Sequence, residues 1–270
     1  MPRHTTSALL LLFLACSTAT PVAAQRNNHP PVGQVTYGFY PDSASIFAEV
    51  EDLKRSGGPS DLRSGNWLRD QYYVTRTLVF DLFFVGKESL FQLQPQLRLD
   101  TENRFLHNLA ILETDGDRRY YLNTSTQTRL HERPALDSDT LYHLTDTFDK
   151  YQWTQTSATK TVAGYPCRQA TYDYTYTDLD GIDKTVHVTA WYAPDLPYPY
   201  GPAGYDGLPG LILELTTWWK RSQTYRATSI HIGPDTRQSL PALDTPDRIT
   251  TEARLAREAY ERIEPRTPDR

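Results

Sequence analysis

Two stretches of the sequence decide the fold class: PCRQATYDYTYT, residues 166–177, and KTVHVTAWY, residues 184–192. Their residues alternate between two kinds of environment and are rich in β-branched and aromatic types. Such a pattern is typical of strands whose two faces differ, and antiparallel sheets contain strands of this kind. The fold is therefore predicted to be mainly β, with an antiparallel sheet.

The same pattern continues along most of the chain. Glycine-containing turns at Val85-Gly86-Lys87, at Asp115-Gly116-Asp117 and at Asp180-Gly181 are typical of hairpins. The predicted strands are 34–39, 71–84, 88–93, 108–114, 118–123, 141–148, 153–157, 166–177, 184–192, 211–218 and 224–232.

Two segments are predicted to be helical. The first is Asp42 to Lys54. The second runs from Thr245, as N-cap, through Pro246 to Ile263. The apolar positions of the second helix are expected to pack on the sheet, and they are Ile249, Ala253, Ala256, Tyr260 and Ile263.

The composition excludes several functional classes. The chain has 270 residues, 23% of them charged, and a net charge of −5. It has enough residues for a sizeable core, and it has no long basic run that would bind a nucleic-acid backbone. No nucleic-acid partner is expected.

The N-terminus is typical of a secretory signal peptide. Arg3 precedes an apolar run at residues 8–15, and Val22-Ala23-Ala24 fits the small-residue positions before a cleavage site. The run is too short to span a membrane, and no later stretch is long enough, so the mature chain is expected to be exported, periplasmic or secreted, without a transmembrane segment. A lipid anchor at Cys16 is the alternative.

These features divide the chain into five parts. They are a signal peptide at 1–24, a flexible leader at 25–33, a β domain at 34–244, a C-terminal helix at 245–264 packed on that domain, and a tail at 265–270.

The stretch from Ala193 to Gly210 holds five prolines and four glycines. Proline fixes φ and removes a backbone donor, while glycine allows positive φ, so this segment is predicted to be a rigid irregular loop. Loops of this length are often functional, although a loop that simply covers one end of the sheet is an equally simple reading.

The run Gly207-Leu208-Pro209-Gly210-Leu211-Ile212 at the end of this loop resembles the signature of the GLPGLI family of exported bacterial proteins. The surrounding order also resembles that family: Trp153, Lys160, Gly164 to Cys167, Ala190 to Tyr192, and Gly201-Pro202. Residues 178–184 depart from the pattern by lengthening one hairpin.

The resemblance implies a fold similar to the bowl-like N-terminal domain of type II peptide:N-glycosidases. We therefore expect a sheet curved into a bowl or half-barrel, with a plain β-sandwich as the alternative. That neighbouring domain is not the catalytic one, so the resemblance implies no glycosidase activity.

Three functions are compatible with these features. The leading hypothesis is a non-catalytic cell-envelope or secreted module that binds a peptide, a glycan or an outer-membrane receptor. The alternatives are a periplasmic carrier of a lipid or acyl chain and an unrecognised hydrolase. No cofactor is expected.

Residues capable of chemistry are few. Cys167 could act as a nucleophile served by His187, but a lone cysteine at a strand start is more often a small buried residue. The seven histidines have no paired ligand spacing, and Asp178, Asp180 and Asp183 fit a hairpin turn better than a calcium loop. No catalytic residue and no metal site are predicted.

Aromatic residues beside the signature are the predicted binding residues: Trp191, Tyr192, Tyr198, Tyr200, Tyr205 and Trp219. Aromatic faces can stack on sugars or line a peptide groove. The signature itself is predicted to be structural, through Gly201, Pro202, Gly207, Leu208, Pro209, Gly210, Leu211 and Ile212.

Expression in a bacterium with its secretion pathway intact is expected to yield a mature chain that begins at Gln25, because residues 22–24 form the better processing site. Intact-mass measurement checks this. A mass that includes a diacylglyceryl group on Cys16 would instead establish a lipid anchor.

Overall fold

A computed structural model describes residues 31–95, 103–135, 138–177, 182–218, 220–233 and 239–263, and it describes side chains as far as residue 258. Several predicted features lie outside the described residues. They are the signal peptide, the leader up to residue 30, the C-terminal tail, Cys16, the Asp180-Gly181 turn, the aspartates at 178 and 180, and Trp219.

Twelve strands in the described chain form a single sheet. The strands are β1 (Val32–Pro41), β2 (Val79–Val85), β3 (Glu88–Leu93), β4 (Arg119–Asn123), β5 (Thr128–Pro134), β6 (Leu141–Thr145), β7 (Thr154–Val162), β8 (Tyr165–Thr177), β9 (Asp183–Ala193), β10 (Leu211–Trp218), β11 (Ser222–Gly233) and β12 (Arg248–Thr250). Four helices accompany them: α1 (Ser43–Ser56), α2 (Pro59–Thr75), α3 (Arg104–Glu113) and α4 (Glu252–Ile263).

The strand order is β12-β6-β5-β4-β3-β2-β1-β11-β10-β9-β8-β7. All neighbours are antiparallel except β12 and β6, which are parallel. The predicted mainly β fold with a curved sheet and a C-terminal helix is confirmed, and the single sheet excludes the sandwich.

Edge strand β7 does not pair continuously with β8. The register shifts between Gln155 and Thr159, where extra residues of β7 bulge out of the ladder. The hairpin that joins the two strands turns through Ala163 and Gly164, both with positive φ. Two successive positive φ values match the right-handed twist of the flanking strands.

The predictions were wrong in two segments that fold as helices. Residues 71–75 belong to α2, and residues 108–113 belong to α3. The Asn103 side chain accepts hydrogen bonds from the backbone N–H groups of Phe105 and Leu106, which caps α3 at its start. In α2, Tyr72 packs edge-on against Phe47 of α1, with ring centroids 4.9 Å apart. Tertiary packing therefore overrides the strand preference of the Tyr-Tyr-Val-Thr run.

The first helix was predicted correctly, and its ends have clear local causes. The Asp42 side chain accepts a hydrogen bond from Ser45 N at 3.1 Å, and Gly57 ends the helix with φ of 72°. Strand β5 was missed by the sequence analysis. It pairs with β4 and β6 across most of its length.

The C-terminal helix begins at Glu252 and not at Thr245. Residues 248–250 instead form β12, and Asp247 accepts a hydrogen bond from Leu141 N at 2.7 Å. This contact seats β12 on β6. Ile249, which was expected to pack on the sheet as part of the helix, is 67% exposed.

The hydrophobic core joins both halves of the sheet. It contains aromatic residues from β1, β2, β3 and β11, and Phe80 stacks on Phe91 with centroids 5.4 Å apart. Leu208, Leu211 and Ile212 of the signature lie in the same core.

The glycines of the signature meet two different requirements. Gly207 has φ of 85° with open space around it, so only its backbone conformation demands glycine. Gly210 has no positive φ. A Cβ atom there would lie 2.3 Å from the Ala193 carbonyl oxygen, so close backbone approach demands glycine at this position.

We expect Gly210→Ala to lower the free energy of unfolding by about 1–3 kcal/mol, because the added methyl group forces the loop away from Ala193. Chemical denaturation measures the change. Gly233→Ala is the matched control, since a Cβ atom at Gly233 meets nothing within 4 Å. Equal stability of the two variants would contradict the close-approach argument.

Candidate functional site

Opposite halves of the sheet line one large cavity of about 1270 Å³. Tyr120 and His131 come from β4 and β5, whereas Tyr174, Tyr176 and Tyr225 come from β8 and β11. These strands are far apart in the sheet order, so they can face one cavity only because the sheet curls round. The cavity is the inside of the predicted bowl.

The loop 193–210 closes part of this cavity. Gly201, Ala203, Gly204, Tyr205 and Asp206 contribute to its lining. Tyr200 donates a hydrogen bond to the Gly86 carbonyl at 3.1 Å, so the loop also contacts the β2–β3 hairpin.

A buried ion pair fixes the loop to β5. Arg129 Nη2 lies 2.5 Å from Asp206 Oδ2, and both side chains are almost fully buried. Arg129 also donates hydrogen bonds to the carbonyls of Gly204 and Phe148, at 2.8 and 3.2 Å. Trp153 Nε1 donates to the Asp206 carbonyl at 2.7 Å. Asp206 is therefore held through both its side chain and its backbone.

Burial raises the pKa of Asp206 from its usual value of 3.8 to about 6, although Arg129 acts in the opposite direction. Because the folded-state pKa is the higher one, the folded protein holds this proton more tightly than the unfolded chain. The stabilisation from this protonation is complete below 3.8 and is lost as the pH rises through about 6.

Tyrosine rings cover one wall of the cavity and its approach. Tyr172, Tyr174 and Tyr176 alternate along β8 and so point to one face, and the Tyr172 and Tyr174 rings are stacked. Tyr151 stacks on Tyr205 with centroids 4.7 Å apart and meets Tyr172 edge-on. We call these five residues the tyrosine wall. Tyr174 and Tyr176 keep 36% and 38% of their surface exposed.

Charged side chains stand beside the tyrosine wall. Asp115 has φ of 50°, an unusual conformation for a residue other than glycine, and its carboxylate lies 3.2 Å from Arg118. Burial raises the pKa of Asp115. Lys150 pairs with Asp146 at the more exposed end of the cavity.

Glu252, the first residue of α4, also lines the cavity. One of its oxygens lies 3.0 Å from Arg133 Nη1, and the other lies 3.2 Å from His131 Nε2. Contact with the His131 ring, and then the Arg118 and Arg133 cations, lower the pKa of Glu252 to about 2 despite its partial burial. This carboxylate is ionised at neutral pH.

The predicted binding residues do not form one site. Tyr205 belongs to the tyrosine wall, whereas Tyr192 and Tyr200 are core residues with 1% exposure each. Tyr198 packs against Phe84. Trp191 lies beneath Lys160, whose amino group is 4.3 Å from the ring centroid and pairs with Glu214. Trp191 and Tyr198 both lie outside the cavity lining.

Cys167 is not placed for catalysis. It is 1% exposed, and burial raises the pKa of its thiol to about 11. His187 pairs with Asp173 at 3.0 Å, and Asp173 is six residues further along β8 than Cys167, or roughly 20 Å. In the described part of the chain, His, Cys, Asp and Glu form no group of three that could hold a metal ion.

Most residues that line the cavity were not predicted from the sequence. Arg129, Arg118, Asp115, His131 and Glu252 carry no motif, and they meet only through the curvature of the sheet. One signal was available: the tyrosines at 172, 174 and 176 alternate within a predicted strand and must share a face.

A family model described as "Protein of unknown function (Porph_ging)" matches residues 175–214, from the end of β8 through the signature to β10. The predicted family resemblance is confirmed. The matched segment contains the whole loop 193–210 but only one side of the cavity. The comparison with curated proteins found no match.

Two solved structures of PNGF-II, in space groups P21 and C2, are similar to this chain with 14% sequence identity and a TM-score of 0.46. They align with 85% and 86% of this chain and with 33% of their own length. This chain therefore spans about a third of the structures that it matches. Among the helices of the described residues, none is both long and apolar enough to cross a membrane.

We expect Arg129→Met to cost about 3–5 kcal/mol of stability at pH 7, because it leaves the Asp206 carboxylate buried without a cation. The cost should shrink at pH 5, where Asp206 is protonated and needs no cation. Denaturant titrations at both pH values measure it.

Lys150→Met is the control, since the Lys150–Asp146 pair lines the same cavity but is partly exposed. It should cost less than about 1 kcal/mol at either pH. If the loss of stability in Arg129→Met does not vary with pH, then the buried Asp206 carboxylate is not the source of that loss.

Proposed function

We propose that this chain is an exported, non-catalytic binding module whose cavity takes an oligosaccharide. The observation that carries the proposal is the tyrosine wall, in which Tyr174 and Tyr176 line a large cavity with more than a third of their surface exposed. Aromatic faces pack against the apolar faces of sugar rings, while phenolic hydroxyls exchange hydrogen bonds with sugar hydroxyls.

The size of the cavity supports a ligand larger than one sugar ring. Drug-sized ligands occupy pockets of about 300–1,000 Å³. At about 1270 Å³, this cavity accommodates a short chain of sugars. An oligosaccharide could then contact both the tyrosine wall on β8 and the polar groups on β4 and β5.

The polarity of the lining argues against the acyl-chain carrier. An acyl chain inside the cavity would remove water from charged groups without replacing their hydrogen bonds, which costs free energy. Four charged contacts border the cavity: Arg118 with Asp115, Arg129 with Asp206, Lys150 with Asp146, and His131 with Glu252.

The non-catalytic part of the proposal rests on how the polar groups are engaged. Asp115 contacts Arg118, Asp206 contacts Arg129 and Glu252 contacts Arg133, so these carboxylates already have cationic partners. The thiol of Cys167 is buried and protonated at neutral pH. A hydrolase would require one of these groups to be released, and mass spectrometry of sugars recovered after incubation with the protein tests for cleavage.

Export is proposed from the sequence of residues 1–24 alone, and intact-mass measurement of the processed chain tests it. A partnership with an outer-membrane receptor is proposed only from the family resemblance. Cross-linking in the cell envelope of the source organism tests that partnership separately from sugar binding.

We expect Tyr176→Ala to weaken binding of oligosaccharides on a glycan array by roughly 3- to 10-fold, the equivalent of one lost aromatic contact. Isothermal titration with the best array ligand gives the dissociation constants. The melting temperature should change little, since this side chain is 38% exposed.

Thr175→Ala is the matched control, because Thr175 is the preceding residue on β8 and points to the opposite face of the sheet. The affinity of Thr175→Ala for the oligosaccharide should equal that of the wild type. Equal losses in both variants, or binding of peptides in place of sugars, would contradict the proposal.

A further inference from the structure

Three buried nitrogen atoms of the cavity lining have no hydrogen-bond partner among the described residues. They are Arg118 Nε, Arg129 Nε and His131 Nε2. Leaving a buried polar group unpaired is costly, so such groups usually indicate a missing partner. Two of the three, on Arg118 and His131, lie where Glu252 enters the cavity.

The carboxylate of Glu252 already occupies this part of the cavity. Its carboxylate is placed between Arg133 and His131, at 3.0 and 3.2 Å, and Arg118 is near enough to contribute to its low pKa. The Glu252 oxygen at 3.2 Å is the group placed to partner His131 Nε2, although the geometry of this contact is poor for a hydrogen bond. Glu252 therefore occupies the region with incomplete hydrogen bonding.

As far as residue 257, the helix that carries Glu252 keeps most of its side chains exposed, and Glu258 pairs with Arg248 of β12. The side chains of Ala253, Arg254, Ala256 and Arg257 are exposed. Ile249 just before the helix is also exposed, so little apolar surface is buried there. The Glu252 side chain itself is 54% exposed. Ion pairs of partly exposed side chains contribute little to stability, so a ligand can displace them.

We propose that Arg118 and His131 of the cavity lining, with Arg133 just outside it, form a carboxylate subsite at the edge of the cavity. Glu252 fills this subsite from within the chain until an acidic sugar displaces it. This inference rests on the proposed oligosaccharide binding and narrows the ligand to one that carries a carboxylate.

Charge complementarity favours an acidic ligand over a neutral one. Once Glu252 leaves, the guanidinium groups of Arg118 and Arg133 lose one of the carboxylates that face them, while Asp115 keeps its contact with Arg118. The subsite then becomes more positive by one charge. A carboxylate also matches a guanidinium in shape, since its two oxygens can accept two N–H bonds.

The test compares D-glucuronate with D-glucose, two sugars that differ in a carboxylate, in binding to the wild-type chain and to Glu252→Ala. NMR titration gives the dissociation constants. Removal of the internal carboxylate should lower the dissociation constant for glucuronate by at least about fivefold and leave that for glucose unchanged. Adding Arg133→Gln to Glu252→Ala should abolish the gain in affinity for glucuronate.

Glu51→Ala is the control, because Glu51 is an exposed glutamate in an ion pair on α1, outside the cavity lining. The dissociation constants of Glu51→Ala for both sugars should equal those of the wild type. Melting temperatures establish that each variant is folded.

The outcomes separate the two proposals. Unchanged glucuronate binding in Glu252→Ala overturns the carboxylate subsite, and the oligosaccharide proposal stands if Tyr176→Ala still weakens sugar binding. Equal gains for glucuronate and for N-acetylglycine, a carboxylate without a sugar, would support the subsite and contradict the sugar ligand. An equal gain for glucose would mean that α4 only blocks entry, and it would overturn the subsite.

Discussion

The buried pair between Arg129 and Asp206 joins two parts of the fold that the sheet ladder does not connect. Arg129 belongs to β5, and Asp206 belongs to the loop between β9 and β10. Five strands stand between β5 and β10 in the sheet order. The pair therefore spans the opening of the curved sheet and holds its two halves at a fixed separation.

Charges at such a position need polar partners, because burial removes their water. Arg129 bonds to a carboxylate and to two backbone carbonyls, and its guanidinium also lies over the Tyr151 ring, 4.7 Å from the centroid. The signature glycines serve the same arrangement. Gly207 turns the chain immediately after Asp206, and Gly210 lets the returning backbone pass against Ala193. The shape of this loop and the width of the cavity are thus consequences of one set of contacts.

Much of the fold could be predicted from local patterns. Alternation identified most strands, and the helical spacing of apolar residues from Ile46 to Leu53 identified α1, because both signals depend on residues close in sequence. The errors came where distant contacts decide the structure. Residues 71–75 have strand preferences, yet contact with α1 keeps them helical. The Thr245-Pro246-Asp247 run has the composition of a helix start, yet the bond from Leu141 N to Asp247 directs the next residues into β12.

The candidate site was predictable only in part, for the same reason. Aromatic residues near the signature were a sensible choice, but burial divides them between the core and the cavity, and burial depends on curvature that local patterns do not encode. Arg118 and His131 lie on the β4 side of the cavity, and Glu252 reaches them from more than a hundred residues further along the chain. No spacing rule brings these three together.

An open sheet of twelve strands has two edges, and edges with free backbone groups invite pairing with another chain. On one side, the three-residue strand β12 ends the sheet and leads directly into a helix. On the other side, the bulge between Gln155 and Thr159 interrupts β7. In the described sheet, neither edge offers a long, straight row of donors and acceptors, so the open sheet is poorly shaped for strand pairing with a second copy.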